Sequence, residues 1–271
     1  MSKGLAETYL KQTDIEHVLS APDMYIGPIQ KTDTLNWMLM DGKMVQKQHE
    51  FIPALYKLFD EIVVNAADQS KRMEQTETPV TFISCTIENG TIRITNDGPG
   101  IDVELHPTYK VYIPQLIFSE LRTSTNYDKS EKKIVGGKNG YGAKLAVIWS
   151  TRVTIETIDA KRKLKYTQVF ENNLGTIHKP TIVPYKKKSY TFFEFTPDYK
   201  RLGLDGLDAD TMAVFEKRMM DIAAITNKKV KVSFNGKVLE CQTFQKYVDF
   251  YIADAPRAFE TCERWDVCAS F

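Results

Sequence analysis

Residues 53–69 read PALYKLFDEIVVNAADQ. Pro53 suits the first turn of a helix, where its missing N–H is one that would go unpaired anyway. Leu55, Leu58, Phe59, Ile62 and Ala66 recur at helical spacing and mark the face that packs inward. Beside that face, Glu61, Asn65 and Asp68 fall at i, i+4 and i+7 and form a second stripe. Asn and Asp are poor mid-helix residues because their side chains compete for the backbone. A merely solvated stripe would sooner carry Glu, Lys or Gln. Two readings stand: an exposed polar face, or a carboxylate general base beside an amide oxygen of the hard kind that Mg2+ accepts.

Outward from this helix, strands come in pairs with helices between the pairs. Residues 1–30 read as an irregular arm and a short helix that Pro22 and Gly27 end. Strands near 80–87 and 91–96 meet at Asn89-Gly90, a strong hairpin signal. Further strands are expected at 151–158, 164–170, 190–196 and 230–234, the last followed by Asn235-Gly236. Helices are expected near 113–122, from Gly142, at 208–226 and at 243–253. Trp265, Val267, Ala269 and Phe271 alternate like a strand up to the last residue, so the chain is expected to be part of a longer protein. Paired strands with inserted helices favour an α+β layer of sheet and helices over a doubly wound parallel sheet.

Composition narrows the class. Apolar residues make up 42% and charged residues 26%, the proportions of an ordinary globular protein. The 36 Lys and Arg nearly balance 35 Asp and Glu, so no global basic field announces a nucleic-acid partner. Two local basic clusters stand out: Lys161, Arg162, Lys163 and Lys165, then Lys186, Lys187 and Lys188. Such clusters are more often solvated turns than DNA contacts. Cys85, Cys241, Cys262 and Cys268 lack metal-ligand spacing and are too few for a disulfide scaffold, which fits a reducing, intracellular setting. No membrane span or signal peptide is expected.

Two further segments carry chemistry. Thr95-Asn96-Asp97-Gly98-Pro99-Gly100-Ile101 leaves a strand, with two glycines that permit a tight turn or a close ligand approach. Gly136-Gly137-Lys138-Asn139-Gly140-Tyr141-Gly142-Ala143-Lys144 sets glycines ahead of a helix start, an arrangement suited to anions, with Lys144 as a point charge. It imitates a Walker A loop, but Ala143-Lys144-Leu145 lacks the Ser or Thr that would hold Mg2+ there. It also fails as a dinucleotide fingerprint, because Leu145 stands where the third glycine belongs. The metal ligand is therefore expected elsewhere, with Asn65 the candidate.

In this order, the three segments resemble the ATPase family shared by gyrase, the Hsp90 chaperone, histidine kinases and MutL. The likeness is strongest to eukaryotic type II topoisomerases and runs nearly the length of the chain, through PDMYIGPIQ, LYKLFDEIVVNAAD, NDGPGI, LRTSTNYD, EKKIVGGKNGYGAKL, FNGKVL and YVDFYI. The departures are small: Thr125 where serine is usual, Pro99 where lysine is common, and Lys138 for arginine.

The resemblance implies a two-layer α/β sandwich, a mixed and mostly antiparallel sheet with helices on one face. It implies an arm over 1–30, an ATP-binding domain over 31–230 and the start of a transducer domain over 231–271. ATP and Mg2+ are the implied cofactors. Glu61 is then the general base, Asn65 the Mg2+ ligand and Asn96 the adenine-side contact. Ser124, Thr125 and Asn126 resemble ribose and phosphate contacts. Gly137, Lys138, Asn139, Gly140, Tyr141, Gly142, Ala143 and Lys144 resemble the lid over the triphosphate. Tyr9 matches a tyrosine that reaches the partner subunit's nucleotide. The implied partners are a second copy, joined in an ATP-dependent homodimer, and the DNA duplex passed through the gate. The expected location is intracellular with DNA: the nucleus of a cellular eukaryote, or host cytoplasm or virion for a viral enzyme. The short leader before Tyr9 suits a compact viral or protist source. The polar stretch Thr123–Val135 is expected to order on nucleotide binding. The alternative is an ATP-driven clamp of the chaperone or mismatch-repair type.

Overall fold

A computed structural model describes residues 11–121, 140–262 and 265–270. Helix α1 (Asp14–Ser20) opens with a capping box: the Thr13 side chain accepts from the Glu16 backbone N–H, and Glu16 answers to the Thr13 N–H. A hairpin follows, β1 (Thr32–Met40) and β2 (Lys43–Phe51), then α2 (Pro53–Met73). Strands β3 (Phe82–Glu88) and β4 (Thr91–Asp97) precede α3 (Ile113–Ser119) and α4 (Gly142–Ile148). Next come β5 (Ser150–Asp159), β6 (Leu164–Glu171), β7 (Thr176–Ile177), β8 (Thr181–Pro184) and β9 (Tyr190–Pro197). Helix α5 (Ala209–Ile225), β10 (Lys231–Phe234), β11 (Lys237–Val238), α6 (Phe244–Ile252), β12 (Arg257–Thr261) and β13 (Asp266–Ser270) complete the order.

Among the described residues, nine strands form one sheet in the order β11-β10-β3-β4-β9-β5-β6-β7, with β8 also on β6. Only β10 beside β3 is parallel; the other pairings are antiparallel. This is the mixed, mostly antiparallel sheet expected from the sequence. The two faces differ chemically, which explains the two layers. Ile83, Ile92, Ile94, Val153, Ile155, Phe193, Phe195 and Val232 are buried, as are Leu55, Leu58, Phe59 and Ile62 of α2, Phe215 and Met219 of α5, and Leu145 of α4; all belong to one hydrophobic cluster. Phe59 and Phe215 stack with centroids 4.0 Å apart, locking α2 to α5. On the outer face the cross-strand pairs are polar: Arg93 bridges Glu88 and Glu194, and Thr91 meets Thr196 at 2.9 Å.

Asn89-Gly90 and Asn235-Gly236 both adopt the positive φ pairs that close two-residue hairpins. Patterning does not announce β1 and β2. Their strands alternate weakly, although Asp41-Gly42 makes the same kind of turn, with φ of 50° and 78°. The boundary expected at residue 230 falls one residue before β10, and β10 and β11 are hydrogen-bonded into the main sheet. No helix among the described residues is long and apolar enough to cross a membrane.

Candidate nucleotide site

Helix α2 lays its apolar side on the sheet, so the Glu61 and Asn65 stripe comes to the edge of that packing. The Glu61 side chain is 23% exposed, and Asn65 is exposed one turn further on. Lys57, one turn earlier, forms an ion pair with Glu61 Oε1. The other carboxylate oxygen lies against the first residue of α4. A Cβ added at Gly142 would stand 1.7 Å from Glu61 Oε2, so glycine is what lets the carboxylate sit in this position. The glycine segment and the acidic helix therefore meet at one point. A carboxylate beside the start of a helix also sits where the backbone dipoles favour negative charge.

Across from α2, β4 ends in Asn96 and Asp97. Asn96 is buried, and its Nδ2 donates to the Asp97 carbonyl at 2.9 Å. Asp97 is 1% exposed and fully engaged. Its Oδ1 accepts from the backbone N–H of Thr81 (2.6 Å) and Phe82 (3.0 Å), and Oδ2 pairs with Lys188 at 2.6 Å. Burial works against this carboxylate, but Lys188, Thr81 and Phe82 outweigh it and hold Asp97 below the usual carboxylate range. Gly100, at φ 71°, packs so tightly on β5 that a Cβ would lie 1.9 Å from the Ile158 carbonyl oxygen. Thr157 Oγ1 then accepts from the Ile101 N–H at 3.0 Å, pinning the segment where it leaves the sheet.

Lys144 differs from an open point charge. It is 2% exposed, and its Nζ donates to the Gly140 carbonyl at 2.7 Å. Burial pushes its pKa down to about 8, against the opposing pull of Glu120. The end of the glycine segment is thus tied to its own helix. Of the residues expected to form a lid, Gly140, Tyr141, Gly142, Ala143 and Lys144 are described. Tyr9, Ser124, Thr125, Asn126, Gly137, Lys138 and Asn139 lie outside the described residues, as does the whole stretch Thr123–Val135.

The donor set suits a cation held mostly by its own ligand. Among the described residues no three His, Cys, Asp or Glu side chains group around a metal position. One amide oxygen, that of Asn65, would leave the rest of a coordination shell to phosphate and water, which Mg2+ accepts readily.

Residues 52–198 match the family of histidine kinase-, DNA gyrase B- and HSP90-like ATPases. The chain superposes on the ATPase region of Saccharomyces cerevisiae topoisomerase II with a TM-score of 0.92 at 39% identity, covering 98% of this chain and 71% of that one. This chain belongs to those ATPases, in their type II topoisomerase branch. The ATPase and transducer domains of DNA topoisomerase II from Balamuthia mandrillaris give the same TM-score at 39% identity, covering 98% of this chain and 69% of theirs. DNA topoisomerase 2 of Acanthamoeba polyphaga mimivirus is 42% identical over 276 residues, and that of Arabidopsis thaliana 42% over 279. The alignments take in 98% and 99% of this chain but 22% and 19% of those enzymes, so the chain spans about a fifth of their length. As a member of this branch the domain binds ATP, and the matched span contains Glu61, Asn65, Asn96 and Gly142.

Sequence reasoning passed over Asp97, Thr81 and Lys188 as a unit. Asp97 sits in a motif that reads as a turn, and Lys188 in a run of lysines that reads as solvated. Nothing local reveals that the two meet.

Proposed function

We propose that this domain is the ATP-operated gate of a type II topoisomerase, working where DNA is held inside a cell. It binds Mg-ATP, closes against a second copy around a DNA duplex, and hydrolyses the nucleotide to support strand passage. The observation that carries this reading is the seating of the Glu61 carboxylate against Gly142. It sets a general base at the junction of the acidic helix and the glycine lid. There Glu61 orients the attacking water and takes its proton. Asn65 supplies the amide oxygen that holds Mg2+, whose charge offsets that of the phosphates when it is bound. Asn96, buried at the end of β4, reads the adenine side, and Tyr141 through Lys144 carry the lid into α4. Phosphoryl transfer needs positioning and charge stabilisation more than covalent chemistry, and this set provides the positioning.

The test is Glu61→Gln. The amide keeps the shape but cannot accept the proton, so phosphate release should fall by about a hundred-fold or more, with nucleotide affinity held within a few-fold. Hydrolysis at the wild-type rate would remove Glu61 from the chemistry.

A further inference from the structure

The two basic clusters, twenty residues apart in sequence, become one surface. The β5–β6 turn carries Lys161, Arg162 and Lys163, and the loop between β8 and β9 carries Lys186, Lys187 and Lys188. The Tyr185 N–H donates to the Lys163 carbonyl at 2.7 Å, and Leu164 pairs with Pro184, so the loop is fastened to the turn. Between them lies an open cavity of about 280 Å3, lined by Lys163, Tyr185, Lys186, Lys187 and Lys188.

The acids nearby already have cationic partners, although three of them share one arginine. Asp97 has Lys188 at 2.6 Å, Glu156 has Lys165, and Asp102, Glu104 and Asp159 all bind Arg162. Asp159, 2% exposed, also accepts backbone N–H groups from Lys161 and Arg162 at 2.9 Å each, which makes the turn a rigid mount. The lysines left over point to a ligand. Lys163, Lys186 and Lys187 are exposed and have no ion pair among the described residues. Lys161 is 80% exposed, with only a 3.7 Å approach to Asp102.

We propose that Lys161, Lys163, Lys186 and Lys187 form a docking surface for the phosphate backbone of duplex DNA. Four exposed lysines, three of them without an ion pair among the described residues, sit on two loops tied together and match a repeating polyanion read without regard to sequence. Duplex DNA is favoured over an acidic protein segment because this inference rests on the reading that the parent enzyme acts on DNA.

The test uses the 271-residue chain and a short random-sequence duplex, with affinity measured by fluorescence anisotropy as salt rises. Each phosphate contact contributes about −0.9 to the slope of log K against log salt, so four give about −3.6. Affinity should then fall by roughly a hundred-fold between about 50 and 200 mM salt. Replacing all four lysines by Gln should remove most of that slope. The Lys200→Gln, Lys237→Gln pair, exposed past the opposite end of β9 and on the edge strand β11, should leave it unchanged. Thermal melting of each variant guards against misfolding.

Wild-type binding with an equal slope in the four-lysine variant overturns the surface while sparing the topoisomerase reading. Absence of wild-type binding overturns the surface too. Equal competition by polyglutamate of matched charge would reassign the surface to an acidic protein and overturn the DNA claim. The Glu61→Gln hydrolysis result bears on none of these outcomes.

Discussion

Replacing Gly142 by alanine separates catalysis from stability in a way that tests the site directly. The added Cβ would lie 1.7 Å from Glu61 Oε2 and 2.5 Å from its Cδ, whereas ordinary contact begins near 3.4 Å. The oxygen must therefore retreat by about 1.7 Å, the difference of those two distances. Because the clash is with the far end of a flexible side chain, the backbone need not move. Gly142 also lies outside the left-handed region, and alanine is the better helix former by up to about 1 kcal/mol. Folding stability should stay level or rise slightly. Activity should not survive, because a misplacement of about 1 Å costs on the order of a hundred-fold, or about 3 kcal/mol of barrier. Urea unfolding and phosphate release at saturating Mg-ATP measure the two sides. Combining Gly142→Ala with Glu61→Gln should add little to either loss, since both disable the same group. Wild-type turnover in Gly142→Ala would refute the seating of Glu61. So would loss of activity accompanied by more than about 2 kcal/mol of instability, which would point to a general packing defect.

Other perturbations probe neighbouring features. Gly100→Ala combines a left-handed φ with a 1.9 Å approach to a backbone oxygen, so it should destabilise by about 3 kcal/mol or more, read as a lower urea midpoint. Asp97→Asn should cost about 1–3 kcal/mol at neutral pH, because it replaces the charged acceptor of two backbone N–H groups and of Lys188 by an amide. The folded pKa of Asp97 is depressed, so its contribution is present above the unfolded value of about 3.9 and is lost as pH falls through the folded one. The gap between wild type and Asp97→Asn should therefore narrow on acidification below about pH 4, and a constant gap would argue against the charge. Asn65→Ala should weaken Mg2+-dependent nucleotide binding by removing a hard oxygen. Unaltered affinity for Mg-ATP, measured by titration calorimetry, would assign the metal to another ligand.

Much of the architecture was legible because its signals are local. Helical spacing of Leu55, Leu58, Phe59 and Ile62 defines α2, although the helix continues four residues past Gln69, to Met73. Asn-Gly pairs mark two hairpins, and the glycines before Leu145 mark the start of α4. The β1–β2 hairpin was less legible. Its outward residues include Leu35 and Trp37 as well as polar ones, which blurs the period-2 pattern despite Asp41-Gly42.

By itself, the sequence determined which residues are candidates for chemistry and in what order: a carboxylate and an amide one helical turn apart, an Asn-Asp-Gly strand end, and a glycine-rich run. Residue type and near-neighbour spacing suffice for that, since both follow from the backbone period. Tertiary structure alone decided what touches what. It set Gly142 against Glu61, drew Lys188 onto Asp97, turned Lys144 inward to Gly140, and fused two lysine clusters around one cavity. These contacts join residues carried on different elements, or turn a side chain inward, and depend on how sheet and helices pack. No local period encodes them.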